Sequence, residues 1–286
     1  MEPNFAVLII SHGRADRVYT YKALRNAGYT GKIILIVDNE DSDADNYIKN
    51  FGQNNVVIFD KLAKSRTIDS MDLVEDRRTD LYARCVSFDV AEQLGLTYFL
   101  LLDDDYVNFR SRVVSGDSLK TIYIKNFDTL VEIVLEFLET SKADTVALSQ
   151  IGDFIGGKNS KVCKERLVRK AMNAFFCKTA NRIVWSGRMN ADVTAYISQG
   201  SRGRLFFTIA DVSIDQLPTQ SVKGGSSEVY KESGTYMKTF YSILASPSSV
   251  YVYTVGESHH RFHHRIDWER AVPKIISDRY KRGEKE

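Results

Sequence analysis

The residues best equipped for chemistry close a hydrophobic run: Tyr98-Phe-Leu-Leu-Leu leads straight into Asp103, Asp104 and Asp105. Apolar strands of an open α/β sheet bind ligands beyond their carboxyl ends. Three carboxylates held together there repel unless a cation neutralises them. Hard oxygen donors suit Mg2+ or Mn2+, which typically bridge one or two carboxylates to substrate phosphates. The bland alternative is a solvated acidic turn, and the apolar strand in front of it weighs for the metal.

Other strand ends add polar groups. Phe5–Ile10 runs into Ser11-His12-Gly13-Arg14, where backbone N–H groups and Arg14 would face a phosphate at the start of a helix. The loop is neither GxGxxG nor a Walker loop, which disfavours a dehydrogenase or P-loop ATPase. Lys32–Asp38 ends in Asp38 and Asn39, placed to meet a ribose or base edge, with a plain Asx turn as the alternative. Arg77, Arg78 and Arg84 precede the acidic strand and would either neutralise a diphosphate or pair with neighbouring acids. Four of five histidines fall in 259–264, including His263 and His264. Their spacing fits no zinc finger, so a single metal ligand or phosphate contact is expected, with Arg261 and Arg265 as anion partners; a basic exposed segment is the alternative.

These residues need a scaffold. Apolar, β-branched runs at Phe5–Ile10, Lys32–Asp38, Asn55–Phe59, Tyr98–Leu102 and Thr145–Gln150 predict strands. Helical patterns are expected at Ala15–Gly28, Asp80–Gly95 and Phe127–Ser141, the last capped by Asp128. The alternation reads as α/β with a mostly parallel sheet flanked by helices. After Gly157, Phe175–Cys177, Leu205–Ile214, Tyr236–Leu244 and Val250–Val255 read as strands of an α+β half that continues the sheet. No Pro/Gly/Ser linker separates the halves, so residues 1–286 are expected to form one domain.

Composition narrows the class. With 286 residues, 43% hydrophobic and 27% charged, the chain carries enough apolar side chains for a proper core. Only 4 prolines and no low-complexity tract argue against a disordered arm. No apolar run is long enough for a membrane span and the start lacks a basic signal region, so a cytoplasmic location is expected. Three separated cysteines suggest reduced structural thiols. The net charge of +2 hides 17 basic against 25 acidic residues through Gly157 and 22 against 12 after it. The densest basic stretch, Lys158–Arg188, includes Lys158, Lys161, Arg166 and Arg188 and hints at a polyanionic partner.

Together, an Arg loop after the first strand, an acid after the second and Asp-Asp-Asp after the fourth resemble a nucleotide-diphosphosugar glycosyltransferase of the GT-A fold, with Asp103 and Asp105 as its DxD element. Further motifs are Ser186-Gly-Arg-Met-Asn190-Ala-Asp192-Val-Thr-Ala-Tyr196, the run from Gly200 to Thr208, Thr219-Gln220-Ser-Val-Lys223-Gly-Gly, Ser233-Gly-Thr-Tyr236-Met-Lys238 and His263-His264-Arg265-Ile266. In that order they resemble phage TET-associated glycosyltransferases (TAGT).

The resemblance implies a UDP-sugar donor, Mn2+ or Mg2+, and transfer to the hydroxymethyl group of a pyrimidine in double-stranded DNA, in the host cytoplasm if the protein is phage-encoded. It implies metal binding by Asp103 and Asp105 with His263 or His264, and donor seating by Ser11, His12, Arg14, Asp38, Asn39, Arg78, Arg84, Asp103 and Asp104. Asp192 and Asn190 would serve the acceptor hydroxyl. Lys158, Lys161, Arg166, Arg188, Arg202, Arg204 and Lys223 would track DNA phosphates, and Gln220 would occupy the place of an extruded base. The family pattern reads Met-Asn-Glu-Asp where this chain has Ala191 before Asp192. Ala191 is therefore either an inactivating change or a shift of the base role to Asp192. Two rivals are a transferase of the same fold acting on a polysaccharide or small molecule, and a non-enzymatic DNA-binding protein; salt-sensitive DNA binding separates the first, UDP and metal binding the second.

Overall fold

The computed structural model describes residues 4–160, 163–164, 172–217, 227–256, 260–272 and 275–281. In chain order the elements are β1 (Phe5–Ile10), α1 (Tyr19–Asn26), β2 (Ile33–Asp38), α2 (Ala44–Phe51), β3 (Val56–Phe59), α3 (Lys61–Ser65), α4 (Leu81–Gln93), β4 (Tyr98–Asp103), β5 (Tyr106–Ser115), β6 (Ser118–Tyr123), α5 (Phe127–Ser141), β7 (Thr145–Gln150), β8 (Phe175–Lys178), α6 (Ala191–Gly200), β9 (Phe206–Gln216), α7 (Ser227–Ala245), β10 (Val250–Val255), β11 (Arg261–Ile266) and α8 (Trp268–Ala271).

Among the described residues nine strands form one sheet in the order β3-β2-β1-β4-β8-β7-β9-β5-β6. The first four are parallel. Their near-continuous apolar sequences suit strands buried on both faces. Val7, Ile9, Leu35, Leu100 and Leu102 point into a cluster with Tyr47, Phe127 and Val134. The alternate residues Ala6, Leu8, Ile34, Phe99 and Leu101 join Val86, Phe88, Ala195 and Tyr196. The period of two thus places α1, α2 and α5 on one face, with α4 and α6 on the other. Beyond β4 the sheet is mixed: β8 is antiparallel to β4 and β7, β9 is parallel to β7, and β5 is antiparallel to β9. The α/β class expected from the sequence holds, with less parallel pairing than expected.

Several boundaries differ for physical reasons. Helix α1 starts at Tyr19 rather than Ala15, and the Gly13 and Arg14 amides ahead of it donate to Asp41 and the Tyr47 hydroxyl. The cap of α5 is Asn126, whose side chain accepts from the Thr129 amide. Asp128 instead accepts from the Thr30 amide and hydroxyl at 3.0 and 2.7 Å. Tyr236–Leu244, expected as a strand, lies within α7, where Thr239, Tyr241 and Ser242 turn inward while Tyr236, Phe240 and Leu244 remain exposed. The last two strands do not continue the sheet; β10 and β11 form a separate antiparallel ribbon. Cys85, Cys163 and Cys177 are free thiols, as expected. Among the described residues no helix is long and apolar enough to cross a membrane.

Candidate functional site

The carboxyl ends of β1, β2 and β4 meet at one edge of the parallel half, and the polar residues that follow them interlock. Thr20, in the first turn of α1, pins the acidic turn: its hydroxyl donates to the Asp103 carbonyl at 2.6 Å and accepts from the Tyr106 amide at 2.9 Å. Its own amide donates to the Asp104 carbonyl at 3.2 Å. The loop after β1 grips the same turn from the other side. Ser11 Oγ and Arg14 Nη1 donate to the buried Asp104 carboxylate at 2.5 and 2.6 Å. Asp104 therefore locks the loop to the turn, while its two neighbours keep more exposure.

Asp103 accepts from Arg84 Nη2 at 2.8 Å, from the Tyr106 hydroxyl at 3.2 Å and from Asn173 Nδ2 at 3.2 Å. Among the described residues the side-chain partner of Asp105 is Gln216 Nε2, 3.2 Å from each carboxylate oxygen. Burial pushes Asp103 up to about 7, opposed by Arg84 and reinforced by Asp105. Burial, reinforced by the Asp104 charge, pushes Asp105 up to about 6. Burial also raises Asp104 despite Arg14 and the Ser11 hydroxyl. Burial is thus the main force against ionisation of these three neighbouring acids, a cost that a divalent cation would offset.

At the end of β2, His12 Nδ1 lies 2.8 Å from Asp38 Oδ2, and the buried Lys61 ammonium lies 3.3 Å from the same oxygen. Burial alone would raise the Asp38 pKa, but His12 and Lys61 hold it below the usual carboxylate range. The hydrogen bond to Asp38 raises His12 in turn. The protonated pair stabilises the fold fully below the ordinary histidine value of 6.5, and this contribution is lost as pH rises through the raised His12 pKa. At the acid end it is lost as pH falls through the depressed Asp38 pKa. His12→Ala is therefore expected to flatten the pH dependence of the urea midpoint around neutrality; an identical profile in both proteins would remove this pair from the pH response.

The acceptor candidates lie under the same acids. Asn190 adopts a left-handed conformation, φ 56°, at the start of α6, and its side-chain amide donates to the Lys238 carbonyl at 2.7 Å and Ser242 Oγ at 3.0 Å. His264 Nδ1 sits 3.3 Å from that amide. Burial, with help from His263 and Lys238, lowers the His264 pKa to about 4. Asp192, in the first turn of α6, is raised by burial against the opposing charges of Arg84 and Lys238. Arg84 is itself 3% exposed and within electrostatic reach of Asp80, Asp103 and Asp192. One guanidinium thus bonds Asp103 in the acidic turn and lies within electrostatic reach of Asp192 in α6. Ala191 is buried in the cluster containing Trp185 and Tyr196.

Other expected residues are placed differently. Among the described residues no three His, Cys, Asp or Glu side chains converge as a ready metal cage, so His263 and His264 do not join Asp103 and Asp105. Asn39 Oδ1 accepts from the Lys61 amide at 3.0 Å and so anchors α3. Arg78 donates to Glu232 and Asp76 rather than facing an open phosphate site. Arg188, expected on the phosphate track, is buried against Asp72, Asp76 and the Tyr241 hydroxyl. Arg204 turns inward to Asp144 at 2.9 Å. Both depart from the expectation because their charge is already met inside the protein. Lys158 pairs with Asp117, Lys178 with Glu139, and Arg182 with Asp89 and Glu92; Arg202 is exposed. Lys161, Arg166, Gln220 and Lys223 lie outside the described residues. Lys61, Thr20 and Gln216 escaped the sequence reading because each sits far along the chain from the acid it meets, and Tyr47 because its partners are the distant Ser11 hydroxyl and Arg14 amide.

The site is thus an α/β sheet edge where polar loops after β1 and β2 meet an acidic turn after β4. Residues 5–225 match TAGT, the TET-Associated Glycosyltransferase family, and the chain belongs to that family. None of the curated proteins matches the chain. Among solved structures it is similar to S. aureus TarS 1-349, with 12% identity, a TM-score of 0.45, and coverage of 76% of this chain and 61% of that one. TarS 1-349 in complex with UDP-GlcNAc gives 12% identity and a TM-score of 0.42 over 80% and 64%. A protein described as a nucleotide-diphospho-sugar transferase from Desulfovibrio desulfuricans G20 gives 10% identity and a TM-score of 0.42 over 85% and 94%. The chain spans about three fifths of the length of the TarS 1-349 structures it matches.

Proposed function

We propose that the chain transfers a sugar from a UDP-sugar to the hydroxymethyl group of a modified pyrimidine, 5-hydroxymethylcytosine or 5-hydroxymethyluracil, in double-stranded DNA. The observation that carries this reading is the acidic turn at Asp103 and Asp105 near Asp192, with Asp103 and Asp192 both within electrostatic reach of Arg84. Family membership supports the glycosyl transfer. Family membership and the net basic second half support the DNA acceptor.

The donor set is hard oxygen, and two carboxylates suffice for a cation that completes its shell with phosphate and water. Asp103 and Asp105 would hold Mn2+ or Mg2+, which when bound supplies positive charge opposite the departing diphosphate. The loop Ser11–Arg14 and Asp38 would seat the nucleotide, with His12 and Lys61 fixing the Asp38 carboxylate. Asp192 would accept the proton of the acceptor hydroxyl as the new bond from its oxygen to the sugar's anomeric carbon forms and the bond to UDP breaks. Asn190 and His264 hold the start of α6 and so orient Asp192.

Calorimetric titration of UDP with Mn2+ and again with EDTA tests the donor site without needing the right sugar or a competent base. Binding that depends on Mn2+ is the expected result. No binding in either condition would remove the UDP-sugar reading.

A further inference from the structure

The ribbon β10–β11 stands apart from the main sheet, and its two faces differ sharply. Directly opposed residues of an antiparallel pair share a face. The register pairs Val250 with Ile266, Val252 with His264 and Thr254 with Phe262. This face turns inward at several points: Val250 is buried with Val193 and Ile197, His264 reaches Asn190, and Phe262 packs edge-on against Tyr236 at 4.9 Å. The other face pairs Tyr251 with Arg265, Tyr253 with His263 and Val255 with Arg261.

That outer face has an unusual composition. Tyr251 and Tyr253 are 47% and 40% exposed. Arg261 and Arg265 are exposed, and neither makes an ion pair among the described residues. Arg265 lies over the Tyr251 ring at 5.9 Å, which holds its guanidinium extended. His263 packs against Tyr253 between them. No described carboxylate shares the face. By contrast, Lys158, Lys178, Arg182, Arg188 and Arg204, five of the 22 basic residues of the second half, are paired with acids.

We infer that the outer face of the β10–β11 ribbon is the DNA-binding surface, with Arg261 and Arg265 on backbone phosphates and Tyr251 and Tyr253 as the apolar floor between them. The inference deepens the acceptor reading above and rests on it. A polyanion fits because two guanidiniums 4 positions apart on one strand, without an ion pair among the described residues, meet charges that recur along a nucleic-acid backbone. A second copy of the chain fits poorly, since apposed ribbons would bring like charges together.

The test is fluorescence anisotropy with a labelled hydroxymethylcytosine-containing duplex, over a salt series, on the full chain. The double variant Arg261→Gln/Arg265→Gln is expected to bind about tenfold or more weaker, with the slope of log affinity against log salt smaller by about two. Arg261→Lys/Arg265→Lys is expected to retain most of the slope, and all variants to keep the wild-type thermal midpoint. Salt-sensitive duplex binding that is equal in wild type and the Gln variant would overturn the ribbon assignment and leave the DNA acceptor standing. No duplex binding by the wild type would remove the acceptor reading itself. Wild-type binding to phosphatidylglycerol vesicles without duplex binding would overturn the inference in favour of a lipid surface.

Discussion

Asp105→Asn is expected to make UDP binding the same with Mn2+ as with EDTA and to lower kcat by about 10²–10³. The expectation rests on the unequal situations of the neighbouring acids. Asp104 is committed to Ser11 and Arg14. Asp103 shares its charge with Arg84 and accepts two further hydrogen bonds. Among the described residues the side chain that meets Asp105 is a neutral amide at the limit of good hydrogen-bond length. It is therefore the carboxylate with most capacity left for a cation. Asparagine keeps the shape and one oxygen but removes the charge, so the fold should survive and the thermal midpoint should change little. Calorimetry and steady-state turnover check both parts. Unchanged dependence on Mn2+ would take Asp105 out of the metal site.

Asp192→Asn is expected to lower kcat by about 10²–10⁴ while leaving UDP affinity intact, the pattern of a lost general base rather than a lost donor contact. A base works in its ionised form, and burial raises the Asp192 pKa above the usual carboxylate value. The acid limb of the wild-type rate profile should therefore lie at higher pH than for an ordinary aspartate, and it should vanish in the variant. A variant with unchanged kcat would show that α6 does not carry the base. It would also favour the alternative that Ala191 marks its loss, a conclusion that regained turnover in Ala191→Glu would support.

The parallel half was legible because its strands are buried on both faces. A continuous apolar run needs no partner information, and β1 starts and stops where its sequence changes character. The acidic turn was legible for the same reason, since the burial of β4 guarantees where Asp103 emerges. The hairpin β5–β6 carries Arg110, Arg112 and Lys120 among its apolar residues and is largely exposed, so it offers little pattern to read. Tyr236–Leu244 misleads because aromatic residues favour strands, whereas its helical period shows only once Tyr241 finds Asp72 and Arg188. Charge was least legible. Arg188 is neutralised by Asp72, 116 positions away, and Arg204 by Asp144, 60 positions away. Local composition counts such residues as surface charge, and only tertiary structure shows that they are internal.

Thr20 gives the site a timing as well as a shape. Its hydroxyl and amide fasten the backbone on both sides of the acidic turn to the first turn of α1. Ser11 and Arg14 fasten the turn's central side chain to the preceding loop. Loop and turn therefore lose their conformational freedom when the chain folds, not when the donor arrives. An entropy cost met at folding is absent from the binding equilibrium. Loosening Thr20 should thus appear as weaker ligand binding in a molecule whose resting architecture looks unchanged.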